Sequence, residues 1–139
     1  MNVDLVAFVR ARLDEDEQTA RAATAGPWTT MGQRVLDSSP PSDRLGIGMA
    51  VGHAAASADY NETAVHIARQ DPAATLRRIA RDRAILNAYE EVADMDTDDA
   101  KHEYAYGRAV GLGYAVRQMA AEHDGHPDYK PSWNSGFTP

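Results

Sequence analysis

The sequence predicts an α+β fold dominated by helix. It predicts an N-terminal helix, a small antiparallel sheet of two or three strands, three further helices and an extended C-terminal tail. Three observations carry the prediction. Apolar residues recur at helical spacing over 3–24, 72–94 and 98–122. Between the first two of these, residues 28–51 carry strand and turn signals. A proline after an aspartate, Asp71-Pro72, then splits residues 59–94 into two helices, 59–70 and 72–94. A chain of 139 residues suits one domain, 1–139, long enough to bury a core.

Each element has a local reason. In 3–24, Leu5, Phe8, Val9 and Leu13 form one stripe, and Asp14-Glu15-Asp16-Glu17 reads as a solvated acidic turn opposite the core. Gly26 suits the left-handed end of that helix and Pro27 forbids its continuation. Trp28-Thr29-Thr30-Met31 and Gln33-Arg34-Val35-Leu36 pair as a hairpin around Gly32, Ser38–Ser42 loops, and Leu45–Val51 alternates as a third strand would. Such a sheet is unstable alone and must pack on helices. Asp59-Tyr60-Asn61-Glu62 fits a capping box for the next helix.

At the break, Asp71 is expected to cap the following helix and Pro72 to occupy its first position, where the missing donor costs nothing. Leu76, Ile79, Leu86, Tyr89 and Ala93 then share a face. The run Asp94–Asp99 is read as an acidic linker that caps the last helix. In that helix Ala105, Ala109, Leu112, Val116 and Met119 face one way. Gly107, Gly111 and Ala115 make a smooth strip, for which close backbone packing is expected, since each glycine costs a helix roughly 1 kcal/mol relative to alanine. The tail 123–139, interrupted by prolines, is expected to lie across the surface and dock Tyr129 and Trp133.

Composition narrows the function. A net charge of −7 argues against nucleic acid or an anionic membrane as a partner through the whole surface. With no cysteine there is no disulfide, thiolate metal site or cysteine nucleophile. No apolar run approaches the roughly 18 residues that a bilayer span needs. Asp4 stands where a signal peptide carries a basic residue, so a cytoplasmic location is expected. Only Lys101 and Lys130 of the 14 basic residues are lysine, which suggests a GC-rich genome such as that of an actinobacterium or its phage.

Gly26-Pro27-Trp28, then Ala64-Val65-His66-Ile67-Ala68-Arg69-Gln70-Asp71-Pro72-Ala73-Ala74-Thr75-Leu76, then His126-Pro127-Asp128-Tyr129 and Trp133 stand in a characteristic order. In that order they resemble a family of small uncharacterised actinobacterial proteins. The first two motifs are also similar to phage early Ead-like proteins. The resemblance covers residues 4–133 and implies no catalytic residues, so none are carried over. Gln70 departs from it, standing where that family often has histidine.

Four groups of residues invite a functional reading. The first is the helix break with its neighbours: His66, Arg69, Asp71, Arg77, Arg81 and Trp28. Within the basic cluster Arg69, Arg77, Arg78, Arg81 and Arg83, arginines beside a helix N-terminus offer an anion site. The competing reading pairs them with the acidic runs. Second, His66 and Asp71 flank the break and could form an acid–base pair, although a helix cap and a packed histidine are the simpler reading. Third, Tyr104, Tyr106, Gly107, Gly111 and Tyr114 form a candidate interface on the last helix, too rich in tyrosine to point inward throughout. Fourth, His123, His126 and Asp128 have metal-ligand chemistry but sit on a tail without a rigid frame.

No phosphate loop, nucleophile elbow, HExxH or zinc-ribbon spacing occurs. The expectation is a non-enzymatic binding or interaction module, with self-association or a protein partner, no cofactor, no nucleic acid and no membrane. Its working surface would be the groove between the sheet edge and the Asp71 break, or the tyrosine face of the last helix. The alternatives are an anion- or nucleotide-binding protein using Arg69–Arg83, and a metal-dependent hydrolase using His66, His123, His126 and Asp128.

Overall fold

A computed structural model describes residues 3–38, 54–97 and 105–134. Helix α1 spans Val3–Ala22. Strands β1 (Thr29–Met31), β2 (Arg34–Leu36) and β3 (Ala54–Ser57) follow, then α2 (Asn61–Arg69), α3 (Pro72–Glu90) and α4 (Tyr106–Ala121). Single turns of tighter 3-10 helix stand at Ala93–Met95 and Pro131–Trp133. This is the α+β architecture that the sequence predicts. The expected strand over Leu45–Val51 lies outside the described residues, and the third strand observed is β3.

The chain divides into two compact units, Met1–Glu15 with Ile79–Pro139, and Asp16–Arg78. The first unit is built on helices. Leu5, Val6, Phe8, Val9 and Leu13 of α1 share a core with Ile79, Leu86 and Tyr89 of α3, Val116 and Ala120 of α4, and Trp133. These are the faces that helical spacing marks out, because an apolar stripe at three- and four-residue intervals has to bury itself against another element. The acidic turn is exposed at Asp14 and Glu15, as expected of a solvated face.

The second unit holds the sheet, in the order β1-β2-β3 with both pairs antiparallel. Thr29 pairs with Leu36, Thr30 with Val35 and Met31 with Arg34, leaving Gly32-Gln33 as a two-residue turn. Gly32 has φ +60°, the conformation such a turn demands at its first central residue and one that glycine adopts without strain. Gln33 fastens the far end of the sheet, its side chain donating to the Asp59 carbonyl at 2.6 Å. Helix α2 packs on all three strands.

Two expected caps do not form. Helix α2 starts at Asn61 with Tyr60 at its cap position and no side-chain cap bond. Asp59 is therefore one residue too early for a capping box, and its carbonyl serves Gln33 instead. Helix α4 likewise has Ala105 at its cap position with no side-chain cap bond. Asp98 and Asp99 lie outside the described residues, and Asp96 is drawn elsewhere. Its Oδ2 accepts from the Tyr89 hydroxyl at 2.7 Å and from Arg117 at 2.9 Å.

The segment after α4 does not lie extended. It winds through tight turns in which His126 N–H donates to the His123 carbonyl, Tyr129 to His126 and Trp133 to Lys130. The winding brings aromatic side chains back onto Phe8. Ring centroids stand 5.6 Å from it for His126, 6.1 Å for Tyr129 and 5.1 Å for Trp133. Tyr129 and Trp133 dock as the sequence suggests.

Candidate functional site

The break between α2 and α3 is organised by one carboxylate. Asp71 caps α3: its Oδ1 accepts the Ala74 backbone N–H at 2.6 Å, and its backbone carbonyl takes the Thr75 N–H at 2.9 Å. Pro72 opens the helix, so the donor that proline lacks is one with no partner there in any case. The other oxygen, Oδ2, accepts the backbone N–H of Trp28 at 2.9 Å. The Gly26-Pro27-Trp28 motif and the Asp71-Pro72 motif are therefore two halves of one joint.

Gly26 has a steric role in this joint. A Cβ at that position would stand 2.9 Å from Asp71 Oδ2 and 3.1 Å from the Ala73 methyl, closer than side chains tolerate. The Gly26-Pro27 peptide bond is cis. Trp28 is held at both ends, its indole N–H donating to the Thr24 carbonyl at 3.0 Å.

Beside the joint, β1, α2 and the first turns of α3 enclose an open concavity of about 390 Å³. Trp28, Thr29 and Thr30 form one wall, Val65, Ala68 and Arg69 another, and Asp71, Ala74 and Arg77 the third. Trp28, Arg69, Asp71 and Arg77, singled out from the sequence, thus line one space. His66 and Arg81 do not. His66 is exposed on α2, and Arg81 pairs with its neighbour Asp82, Nη2 to Oδ1 at 2.7 Å.

The basic cluster accordingly divides. Arg83 pairs with Asp14 at 2.6 Å and Arg78 donates to the Gln70 side chain at 3.4 Å. Among the described residues Arg69 and Arg77 have no ion-pair partner, and both are exposed. The N-terminus of α3 is already occupied by the Asp71 carboxylate. Among the described lining residues, the charge open to recognition is that of the two guanidinium groups, which offer planar, multiply donating surfaces to an oxyanion.

The candidate interface on α4 is laid out differently from the expectation. Tyr104 lies outside the described residues. Tyr106 is half-buried and Tyr114 is 52% exposed. Among the described residues, a Cβ added at Gly107 or Gly111 would meet nothing within 4 Å, so no described backbone packs against these two glycines. Gly113 is the glycine that packing requires. A Cβ there would fall on the Asp96 carboxylate and stand 3.0 Å from the Tyr89 ring. The sequence reading missed Gly113 because it grouped residues at four-residue spacing, and Gly113 lies off that strip.

The histidine tail is not assembled as a metal centre. Among the described residues no group of three His, Asp or Glu side chains could hold a metal ion. His126 is engaged otherwise, its Nε2 on the guanidinium of Arg12 and its ring in a T-shaped contact with Phe8. Its Nδ1 stands 3.9 Å from Asp128 Oδ2. Arg12 is buried, pairs with Glu15 at 2.9 Å and lies over the Phe8 ring at 5.3 Å. At the other end of the tail, Lys130 meets Asp4 at 2.5 Å. Its hydrogen bond, and then its charge, hold the Asp4 carboxyl below the ordinary carboxylate range.

No curated protein and no solved structure matches this chain. A family model matches residues 2–135, which include both halves of the Trp28–Asp71 joint and the docked tail, and the chain therefore belongs to the family of unknown function DUF6221.

Proposed function

We propose that this chain is a non-enzymatic binding module whose working surface is the concavity between β1 and the α2–α3 break, and that the group it binds is a small anion or a phosphorylated ligand such as a nucleotide. The observation that carries this reading is the pair Arg69 and Arg77. They line one concavity without an ion-pair partner among the described residues, while Arg81 and Arg83, later in the sequence of α3, are paired with Asp82 and Asp14. Trp28 adds an aromatic wall with its indole orientation fixed, and Thr29 and Thr30 add hydroxyl groups. His66 and Asp71 do not act there as an acid–base pair in this reading, since Asp71 spends both carboxylate oxygens on backbone donors and His66 is outside the described lining.

Thermal melting of the untagged protein with inorganic phosphate and with mono-, di- and cyclic nucleotides tests the proposal. A ligand that binds only the folded state raises the melting temperature in a concentration-dependent way. The expected result is a shift with at least one phosphorylated ligand that disappears in the Arg69→Ala, Arg77→Ala double variant. No shift across the panel overturns it.

A second reading is carried by Tyr114, which stands largely exposed on α4 near the Gly107–Gly111 strip. Here the face joins a second copy of the chain or a protein partner, since tyrosine is enriched at interfaces. Light scattering tests it: a dimeric mass that becomes monomeric in Tyr106→Ala, Tyr114→Ala supports it, and an unchanged mass contradicts it. Cytoplasmic residence, and carriage by actinobacteria or their phages as an accessory protein, belong to the same proposal. They rest on composition and on the order of the sequence motifs.

A further inference from the structure

Helix α1 has a second stripe that shares only Val6 with the core. Val3, Val6, Ala7, Arg10, Ala11 and Asp14 stand at i, i+3, i+4, i+7, i+8 and i+11, one face of the helix, and line a trough of about 700 Å³. Its opposite wall is Glu90 and Glu91 at the end of α3, with Ala93 and Asp94 of the turn that follows. At about 1.5 Å per residue the α1 wall runs roughly 16 Å, the length of three helical turns. The floor is apolar, and Val3 is 56% exposed there. The rim is acidic: among the described residues four carboxylates and one guanidinium line the trough.

We infer that this trough docks a basic amphipathic helix from a partner protein. The fit is that of a helix laid into a groove, with apolar side chains at i, i+3, i+4 and i+7 on the floor and Lys or Arg against the rim. The ion pairs already on the rim do not block it. Arg10–Glu90, Arg83–Asp14 and Arg108–Glu91 are solvent-exposed pairs, a class worth little in water and readily exchanged for an incoming cation. Asp94 has no ion-pair partner among the described residues. A second copy of this chain is a poor occupant, because it would bring the same carboxylates against the rim in a protein of net charge −7. The trough shares no lining residue with the arginine concavity, so the two proposals stand or fall independently.

The test is fluorescence anisotropy with two labelled synthetic helices of about 14 residues, roughly 20 Å long. Both carry leucine on one face, and their other positions are lysine in one and glutamate in the other. The expected result is saturable binding of the lysine peptide, weakened by salt, and none of the glutamate peptide. Ala11→Trp, which fills the trough from an exposed position, and the double variant Glu91→Lys, Asp94→Lys should each weaken binding at least about tenfold. Circular dichroism and melting confirm that both variants fold. Equal binding of the two peptides overturns the inference, as does no binding of either, or affinities that the variants leave unchanged. A dimeric mass of the unliganded protein that Ala11→Trp converts to monomer also overturns it, since a second copy would then be the occupant.

Discussion

The carboxylate of Asp71 accepts the backbone N–H of Trp28 at 2.9 Å across 43 residues of sequence while its other oxygen accepts that of Ala74 at 2.6 Å. One side chain thus starts a helix and ties the strand entrance to it. Gly26 leaves room for the contact, and Pro72 opens the helix that the carboxylate caps.

Asp71→Ala is expected to destabilise the protein by about 2 kcal/mol, since it removes a helix cap worth about 1 kcal/mol and orphans a second backbone donor. Asp71→Asn should cost less, because its single amide oxygen can still serve one of the two donors. Urea unfolding of the three proteins checks the order.

The glycines of α4 make opposite predictions from one residue type. Gly111→Ala should stabilise the protein by up to about 1 kcal/mol, since alanine is the better helix former and the added methyl meets none of the described residues. Gly113→Ala should destabilise it despite the same gain in propensity, because the methyl displaces Asp96 from Tyr89 and Arg117. Melting temperatures that move in the same direction for both would contradict this account of the helix.

The contrast between Gly111 and Gly113 also marks where reading the sequence succeeds. The α1 stripe Leu5, Phe8, Val9 and Leu13, the hairpin around Gly32 and the Asp71 cap are all local patterns, and all are present as expected. Periodicity and capping act within a few residues, so a single sequence displays them. The contacts of Asp71 with Trp28, of Asp96 with Arg117 and of Arg12 with His126 join residues distant in sequence. No local pattern specifies those pairings. Asp96 shows the cost: an acid ahead of a helix reads as a cap, yet a nearby tyrosine and arginine compete for it and win. The site residues follow the same rule. Arg69 and Arg77 are legible as a cluster, but only the fold separates them from Arg81, which its neighbour Asp82 neutralises. The second stripe of α1 was available at helical spacing in Val3, Val6, Ala7 and Ala11, but its alanines carry too little area to distinguish a groove wall from a solvated face.

The tail is expected to contribute to stability through Trp133, which is buried against Phe8. Trp133→Ala should cost about 3 kcal/mol, within the range for truncating a large buried aromatic. Denaturant unfolding measures it, and a change below about 0.5 kcal/mol, the size of an ordinary surface substitution, would mean that the segment is not docked.

Asp4 supplies the pH dependence. Its carboxyl is held low in the folded chain by Lys130, so the contribution of the pair is present above the unfolded carboxylate pKa and is lost as pH falls through the folded value. Lys130→Ala should therefore raise the Asp4 titration toward the ordinary carboxylate range. Side-chain carboxyl NMR across the acid range follows it, and an unmoved midpoint would mean that the pair does not form in solution.

The central claim is that the concavity holding Arg69 and Arg77 binds an anionic group, and an amide- and arginine-detected NMR titration with inorganic phosphate and adenosine monophosphate tests it most directly. The account predicts saturable shifts at the Arg69 and Arg77 side-chain N–H groups and at residues 28–30 and 65–77, abolished by Arg69→Ala, Arg77→Ala. Shifts scattered over the surface, shifts centred elsewhere, or none into the millimolar range would contradict it.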